Sequence, residues 1–159
     1  MDQFARKIIG FSVYPGDMNG SAICCMFNRI ISMQKLPTYL SSDNDPLFQY
    51  YRWKANLRVL DVKEIKSIPY TPISHPFVER LIRSVRHELL DQTLFWNSLD
   101  LQKKLDGYQD YFNRCRSHMA LVAKTPDQKA NNMREKIISI TNYDWQAYSN
   151  GLFQLPSVA

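Results

Sequence analysis

Two acidic residues stand where side chains could work together on a ligand: Asp43 and Glu79, with 35 residues between them. Asp43 lies in Ser41-Ser42-Asp43-Asn44-Asp45-Pro46, a polar run that follows a short apolar stretch. Glu79 closes Pro72-Ile73-Ser74-His75-Pro76-Phe77-Val78-Glu79 and opens a segment of helical periodicity. Carboxylates gathered at one spot offer the hard oxygen ligands that Mg²⁺ prefers. Each residue also has a plainer use. Asp is a common helix N-cap. Glu79 precedes Arg83 by four residues, the favourable order for a surface ion pair of about 0.3–0.5 kcal/mol. A helical wheel weighs against the second use. Val78, Leu81, Ile82, Val85 and Leu89 form an apolar stripe, and Glu79, Arg83 and Arg86 form a second stripe beside it. A glutamate flanked by arginines at the edge of a buried face suits metal and phosphate better than open solvent. His75 is expected to shape its loop and His118 to make a structural hydrogen bond. Cys24 and Cys25 are expected to be packing residues.

The elements that must position these residues alternate. Residues 7–14 read as a strand around one Gly, and Pro15-Gly16-Asp17 as a turn. Residues 21–34 read as a helix led in by Asn19-Gly20-Ser21, with Ile23, Phe27, Ile30 and Ile31 at helical spacing. A short strand over 36–40 runs into the Asp43 loop. Residues 47–60 read as an aromatic-rich helix with Tyr50, Tyr51 and Trp53, more often core than a base-stacking platform. Residues 62–70 read as a strand with Val62, Ile65 and Ile68 inside and Lys63, Glu64 and Lys66 outside. A loop covers 71–76, and helices cover 77–90 and 99–113. From Thr125 on, a polar connector leads to an aromatic tail with Tyr143, Trp145, Tyr148 and Phe153. Such alternation predicts an α/β sheet covered by helices. Sites in such sheets lie at the carboxyl ends of strands, where both acidic residues fall.

Composition narrows the class. The 159 residues suit one domain. A 45% hydrophobic and 13% aromatic share supports a packed core and excludes a wholly disordered chain. The formal net charge of +5 and a pI near 9.1 favour a polyanionic partner. Three cysteines, two of them adjacent, make neither a disulfide framework nor a zinc site, and fit a reducing compartment. No apolar run reaches the ~18–20 residues that span a bilayer, so no membrane partner is expected. The start, Met1-Asp2-Gln3-Phe4-Ala5-Arg6-Lys7, does not read as a secretory signal.

In order and spacing, the Asp43 loop, the Pro72-to-Glu79 loop, Asp2-Gln3-Phe4 with Ile8-Ile9-Gly10-Phe11, and Tyr111-Phe112-Asn113-Arg114 with His118 and Thr125-Pro126 resemble one family. It is the catalytic core of the Asp-Asp-Glu transposases and retroviral-type integrases, above all those of bacterial insertion sequences. The resemblance implies an RNase H-like mixed sheet flanked by helices. Residues 1–130 would be a partial catalytic core and 131–159 a C-terminal tail. It implies DNA cleavage and strand transfer on two Mg²⁺ or Mn²⁺ ions, with Asp43 and Glu79 as two of three catalytic ligands and Arg83 and Arg86 on DNA phosphate. The family's first Asp lies on a strand upstream of the Asp-Gln-Phe element. Asp2 matches a non-catalytic position, so the chain is expected to be N-terminally truncated, without the first, central strand, and inactive alone. Asp45 stands where the family has Gly, and His75-Pro76 where it has Asn/Gln-Gly. The partners implied are DNA, further copies of the chain or an intact transposase, in a bacterial cytoplasm. The alternative is a non-catalytic nucleic-acid-binding remnant that interferes with the intact enzyme.

Overall fold

The computed structural model describes residues 1–32, 34–67, 76–131, 143–148 and 150–158. The chain forms two compact units, one of residues 12–80 and one of residues 1–11 with 81–159. Among the described residues, no helix is long and apolar enough to cross a membrane.

The unit 12–80 is built on α1 (Gly20–Ile31), β1 (Tyr39–Ser42), a 3₁₀ turn (Pro46–Gln49), α2 (Tyr51–Val59) and β2 (Lys63–Lys66). Asn19 starts α1, its side-chain oxygen accepting the backbone N–H groups of Ser21 and Ala22 at 3.0 and 2.9 Å. Trp53, Leu57 and Val62 form the buried centre, with Ile23, Cys24, Phe27, Leu40, Phe48 and Leu60 packed on it. Phe27 meets the Trp53 ring edge-on at 5.2 Å and Phe48 lies 5.3 Å from it, geometry that suits aromatic quadrupoles. Cys24 joins this packing as expected, whereas Cys25 is exposed. The helix expected over 47–60 is interrupted, because Tyr50 is extended (φ −62°, ψ 136°) between the 3₁₀ turn and α2.

β1 and β2 pair in parallel, from Tyr39 opposite Lys63 to Ser42 opposite Lys66. β1 lies later than the 36–40 expected from the sequence, and β2 is shorter than the expected 62–70, of which 68–70 fall outside the described residues. The faces of β2 are also reversed relative to expectation. A strand alternates with period two, so buried Val62 shares its face with Glu64 and Lys66, and Ile65 is 52% exposed. The expected inward set of Val62, Ile65 and Ile68 followed a spacing of three that no strand can keep on one side. Ile68 itself falls outside the described residues.

The second unit takes in residues 81–85 of α3 (Pro76–Val85), the π-helical turn Arg86–Leu90, α4 (Ser98–Arg114), a 3₁₀ turn (Met119–Leu121) and α5 (Pro126–Ala130). It ends in a hairpin of β3 (Tyr143–Tyr148) and β4 (Phe153–Val158), antiparallel with Tyr148 opposite Phe153. The sequence shows only an aromatic tail here, with no sign of a hairpin. Asn97 caps α4, and Thr125 with Gln128 forms a capping box on α5. Leu81, Val85 and Leu89 are buried at a spacing of four, with Leu105, Tyr108, Phe112 and Leu121. The expected apolar stripe is therefore narrower, since Val78 and Ile82 are 37% and 59% exposed.

Residues 7–14 form no strand, and neither do 2–4. Asp2 instead closes a turn, its carboxylate accepting the N–H groups of Phe4 and Ala5. The extended backbone that follows finds its partners on a helix. Asn113 of α4 accepts from Ile8 N–H and donates to the Ile8 carbonyl, both at 2.9 Å. Gln109 donates to the Ile9 carbonyl at 3.3 Å and Gln102 to the Phe11 carbonyl at 3.1 Å. Side-chain amides at intervals of seven and four, one helix face, thus satisfy groups that a neighbouring strand would otherwise bond. The expected mixture of sheet and flanking helices holds. Among the described residues the sheet component is the two-stranded parallel pair and the separate hairpin.

Candidate functional site

The parallel register brings the carboxyl ends of β1 and β2 side by side at Ser42 and Lys66. Asp43 is the first residue beyond β1 and is exposed. Its Oδ1 accepts the Asp45 backbone N–H at 3.1 Å, a tight Asx turn. The capping role weighed for Asp43 falls to Asp45, whose Oδ1 accepts from Leu47 N–H at 2.8 Å. Asp43 Oδ2 has no hydrogen bond among the described residues. Asn44 donates to the Ser67 carbonyl at 3.0 Å and ties the loop to the end of β2.

Beneath this loop lies a cluster the sequence did not reveal. Lys66 Nζ lies 2.8 Å from Glu64 Oε1 and donates to Ser42 Oγ at 3.0 Å, the Phe48 carbonyl at 3.2 Å and the Asp43 carbonyl at 3.3 Å. Glu64 Oε1 also accepts from Ser42 Oγ at 2.6 Å and Trp53 Nε1 at 3.0 Å. Burial pushes the Glu64 carboxyl up, but hydrogen bonds from Lys66, Ser42 and Trp53 outweigh it and hold the group below its usual value. One ammonium thus braces the Asp43 loop from both sides of the turn. A glutamate and a lysine in an alternating segment read as solvent-facing. Only the register of β2 could have signalled otherwise.

Glu79 lies in the first turn of α3, exposed, in the same unit as Asp43. It forms no ion pair with Arg83 among the described residues. Arg80 and Arg83 are exposed on the same helix and Arg86 on the π turn that follows it. The connecting segment 68–75, including Pro72, Ser74 and His75, falls outside the described residues. Both carboxylates are hard oxygen donors with open sides, which fits a divalent ion. No group of three or more His, Cys, Asp or Glu suited to a metal occurs among the described residues.

A second carboxylate cluster lies in the other unit. Asp91 N–H bonds the Arg86 carbonyl at 2.8 Å, five residues back, which defines the π turn. Glu88 in that turn accepts from Tyr108 Oη at 2.8 Å, from Arg116 Nη2 at 2.6 Å, and from Arg116 Nε at 3.1 Å to each oxygen. Burial, reinforced by Glu88, pushes the Tyr108 phenol far above its usual range. His118 Nδ1 lies 3.3 Å from Arg116 Nη1, and its ring meets Phe112 edge-on at 4.7 Å. Burial, then Arg116, lowers the His118 pKa from its ordinary value. The contact with Arg116 and the ring packing on Phe112 match the structural hydrogen bond expected of His118.

Residues 60–126 match the family model described as an integrase core domain. Among solved structures, the chain resembles the catalytic core domain of BIV integrase, at 21% identity and a TM-score of 0.55, over 71% of each chain. It also resembles a chain of the simian T-cell lymphotropic virus intasome, solved in complex with PP2A regulatory subunit B56 gamma. That match has 19% identity and a TM-score of 0.62, and covers 88% of this chain and 54% of that one. No curated protein matches the chain. The fold is that of the retroviral integrase catalytic cores, the RNase H-like arrangement expected from the sequence.

Proposed function

We propose that this integrase-type catalytic core serves metal-dependent DNA cleavage and strand transfer, with Asp43 and Glu79 as two of three carboxylate ligands and Arg83 and Arg86 on DNA phosphate. One observation carries the reading. Asp43 leaves the carboxyl end of one parallel strand on a braced loop, its capping duty taken by Asp45, and Glu79 follows the neighbouring strand in the sequence, within the same unit. Bound Mg²⁺ or Mn²⁺ supplies activation of the attacking hydroxyl and charge relief at the leaving oxygen. The protein's part is to hold the carboxylates and orient the phosphate. Only two carboxylates of the family's three map onto this chain, so the chain by itself performs no strand transfer. It acts as a DNA-binding part of an assembly with further copies or an intact transposase, in a bacterial cytoplasm.

Two measurements test this. Mn²⁺ titration of the full chain should show binding that both Asp43→Asn and Glu79→Gln weaken. Binding indifferent to either substitution would end the shared site. An oligonucleotide joining assay with Mg²⁺ or Mn²⁺ should give no product. Product abolished by Glu79→Gln would overturn the inactivity and leave the enzyme reading standing. The non-catalytic reading draws on exposed Arg80, Arg83 and Arg86, and predicts salt-dependent DNA binding with no metal response at all.

A further inference from the structure

Tyr50, Tyr51 and Trp53, one aromatic group in the sequence, part company in the structure. Trp53 is core, while Tyr50 and Tyr51 are 37% and 65% exposed. The two tyrosine rings lie 4.7 Å apart at an interplanar angle of 46°. The pair is held from below, because the Tyr50 ring packs on the first turn of α1, where a Cβ on Gly20 would fall 1.8 Å from it. It is held from the side by Arg52. Nε of Arg52 donates to the Tyr51 hydroxyl at 3.1 Å, Nη1 donates to Ser21 Oγ at 2.9 Å, and the guanidinium carbon is 5.8 Å from the Tyr51 ring centre. Nη2 has no partner among the described residues. Lys54 and Arg58 are exposed on the same helix, three and seven residues after Tyr51, hence along one face. α2 contains no acidic residue.

We infer that Tyr50, Tyr51 and Arg52 form a stacking site for an unpaired nucleobase of a DNA strand, with Lys54 and Arg58 following its phosphates. An aromatic face left open, fixed by packing and edged with cations, is what sequence-tolerant single-strand binding uses. The alternative of a greasy protein contact fits less well with three cations on the rim. The site begins one 3₁₀ turn after the Asp43 loop in the same unit. The inference deepens the DNA reading above and rests on it.

The test uses the full chain and a single-stranded oligonucleotide carrying 2-aminopurine. Binding should quench the probe. Tyr51→Ala should weaken affinity about tenfold and lose the quench, whereas Tyr51→Phe keeps both. Replacing Lys54 and Arg58 together by Ala should lower the slope of log affinity against log salt by about 1.4. Unchanged affinity and quench in Tyr51→Ala would overturn the stacking site while leaving DNA binding intact. So would a Tyr51→Ala chain that binds DNA normally but no longer self-associates, which would assign the pair to a protein contact. No binding of any oligonucleotide by the unmodified chain would remove both this inference and the reading beneath it.

Discussion

Each unit contains a half-buried glutamate held by a cation and by an aromatic donor, yet the two clusters are built for different ends. Glu88 is gripped by the fork of Arg116, with buried Tyr108 as its aromatic donor. These bonds fasten the π turn to α4 through Tyr108 and to the segment just after it through Arg116. Glu64 is paired with Lys66, with Trp53 as its aromatic donor. The ammonium is a point charge with three donors rather than a planar fork, and it reaches past its carboxylate to the carbonyls of Asp43 and Phe48. The choice of cation separates a joint from a brace: the arginine fork reaches on to the His118 side chain, whereas the lysine bonds backbone carbonyls on both sides of the Asp43 loop.

Three substitutions or titrations can break that contrast. Glu88→Ala should cost the most, about 2–3 kcal/mol in urea unfolding, because it strands the Tyr108 hydroxyl and the Arg116 guanidinium. It should leave the Mn²⁺ affinity of the folded chain unchanged. Lys66→Met should cost less, about 1 kcal/mol, since Ser42 and Trp53 still serve Glu64. It should nevertheless weaken Mn²⁺ binding by loosening the Asp43 loop. A Lys66 variant that loses stability without losing metal would make both clusters mere joints. The smallest effect is on pH dependence. Folding lowers the pKa of both Glu64 and His118, so in each case the unfolded chain takes up the proton first on acidification. Glu64 stabilises fully above its ordinary value of pH 4.5, and that share is lost as pH falls below it. His118 stabilises fully above pH 6.5, and its share is lost on further acidification. Urea midpoints followed against pH should flatten below pH 4.5 in Glu64→Gln and below pH 6.5 in His118→Gln.

What the residues disclosed in advance was mostly helical. Asn19 and the spacing of Ile23, Phe27 and Ile31 located α1, and the same logic found α3 and α4. Helix periodicity is local, so a single chain displays it. Strands depend on partners far along the chain, and there the reading failed. Residues 7–14 have the apolar content of a strand, but their hydrogen bonds go to Asn113, Gln109 and Gln102, about a hundred positions away. Ile65 looked like core, yet the pleat turned it outward. Asp43 was legible because its loop follows a strand end. Its support was not, because Lys66 looks like any exposed lysine until β2 is placed beside β1. The hairpin of 143–158 was not legible, since Pro156 inside β4 speaks against a strand; it pairs opposite Trp145 in a two-stranded sheet, where every strand is an edge and Pro is tolerated.

The amide-bearing face of α4 makes the first residues of the chain behave as a peptide bound in cis. A sheet would have fixed that segment through a continuous ladder, whereas here the uncharged side chains of Asn113, Gln109 and Gln102 bond its backbone, beside the Lys7–Asp127 ion pair. Neutral amides respond little to acid or salt, so this clasp should stay shut under conditions that strip the charged clusters. Its specificity resides in the identity of single residues on a helix, and one substitution at Asn113 unfastens both of the bonds to Ile8.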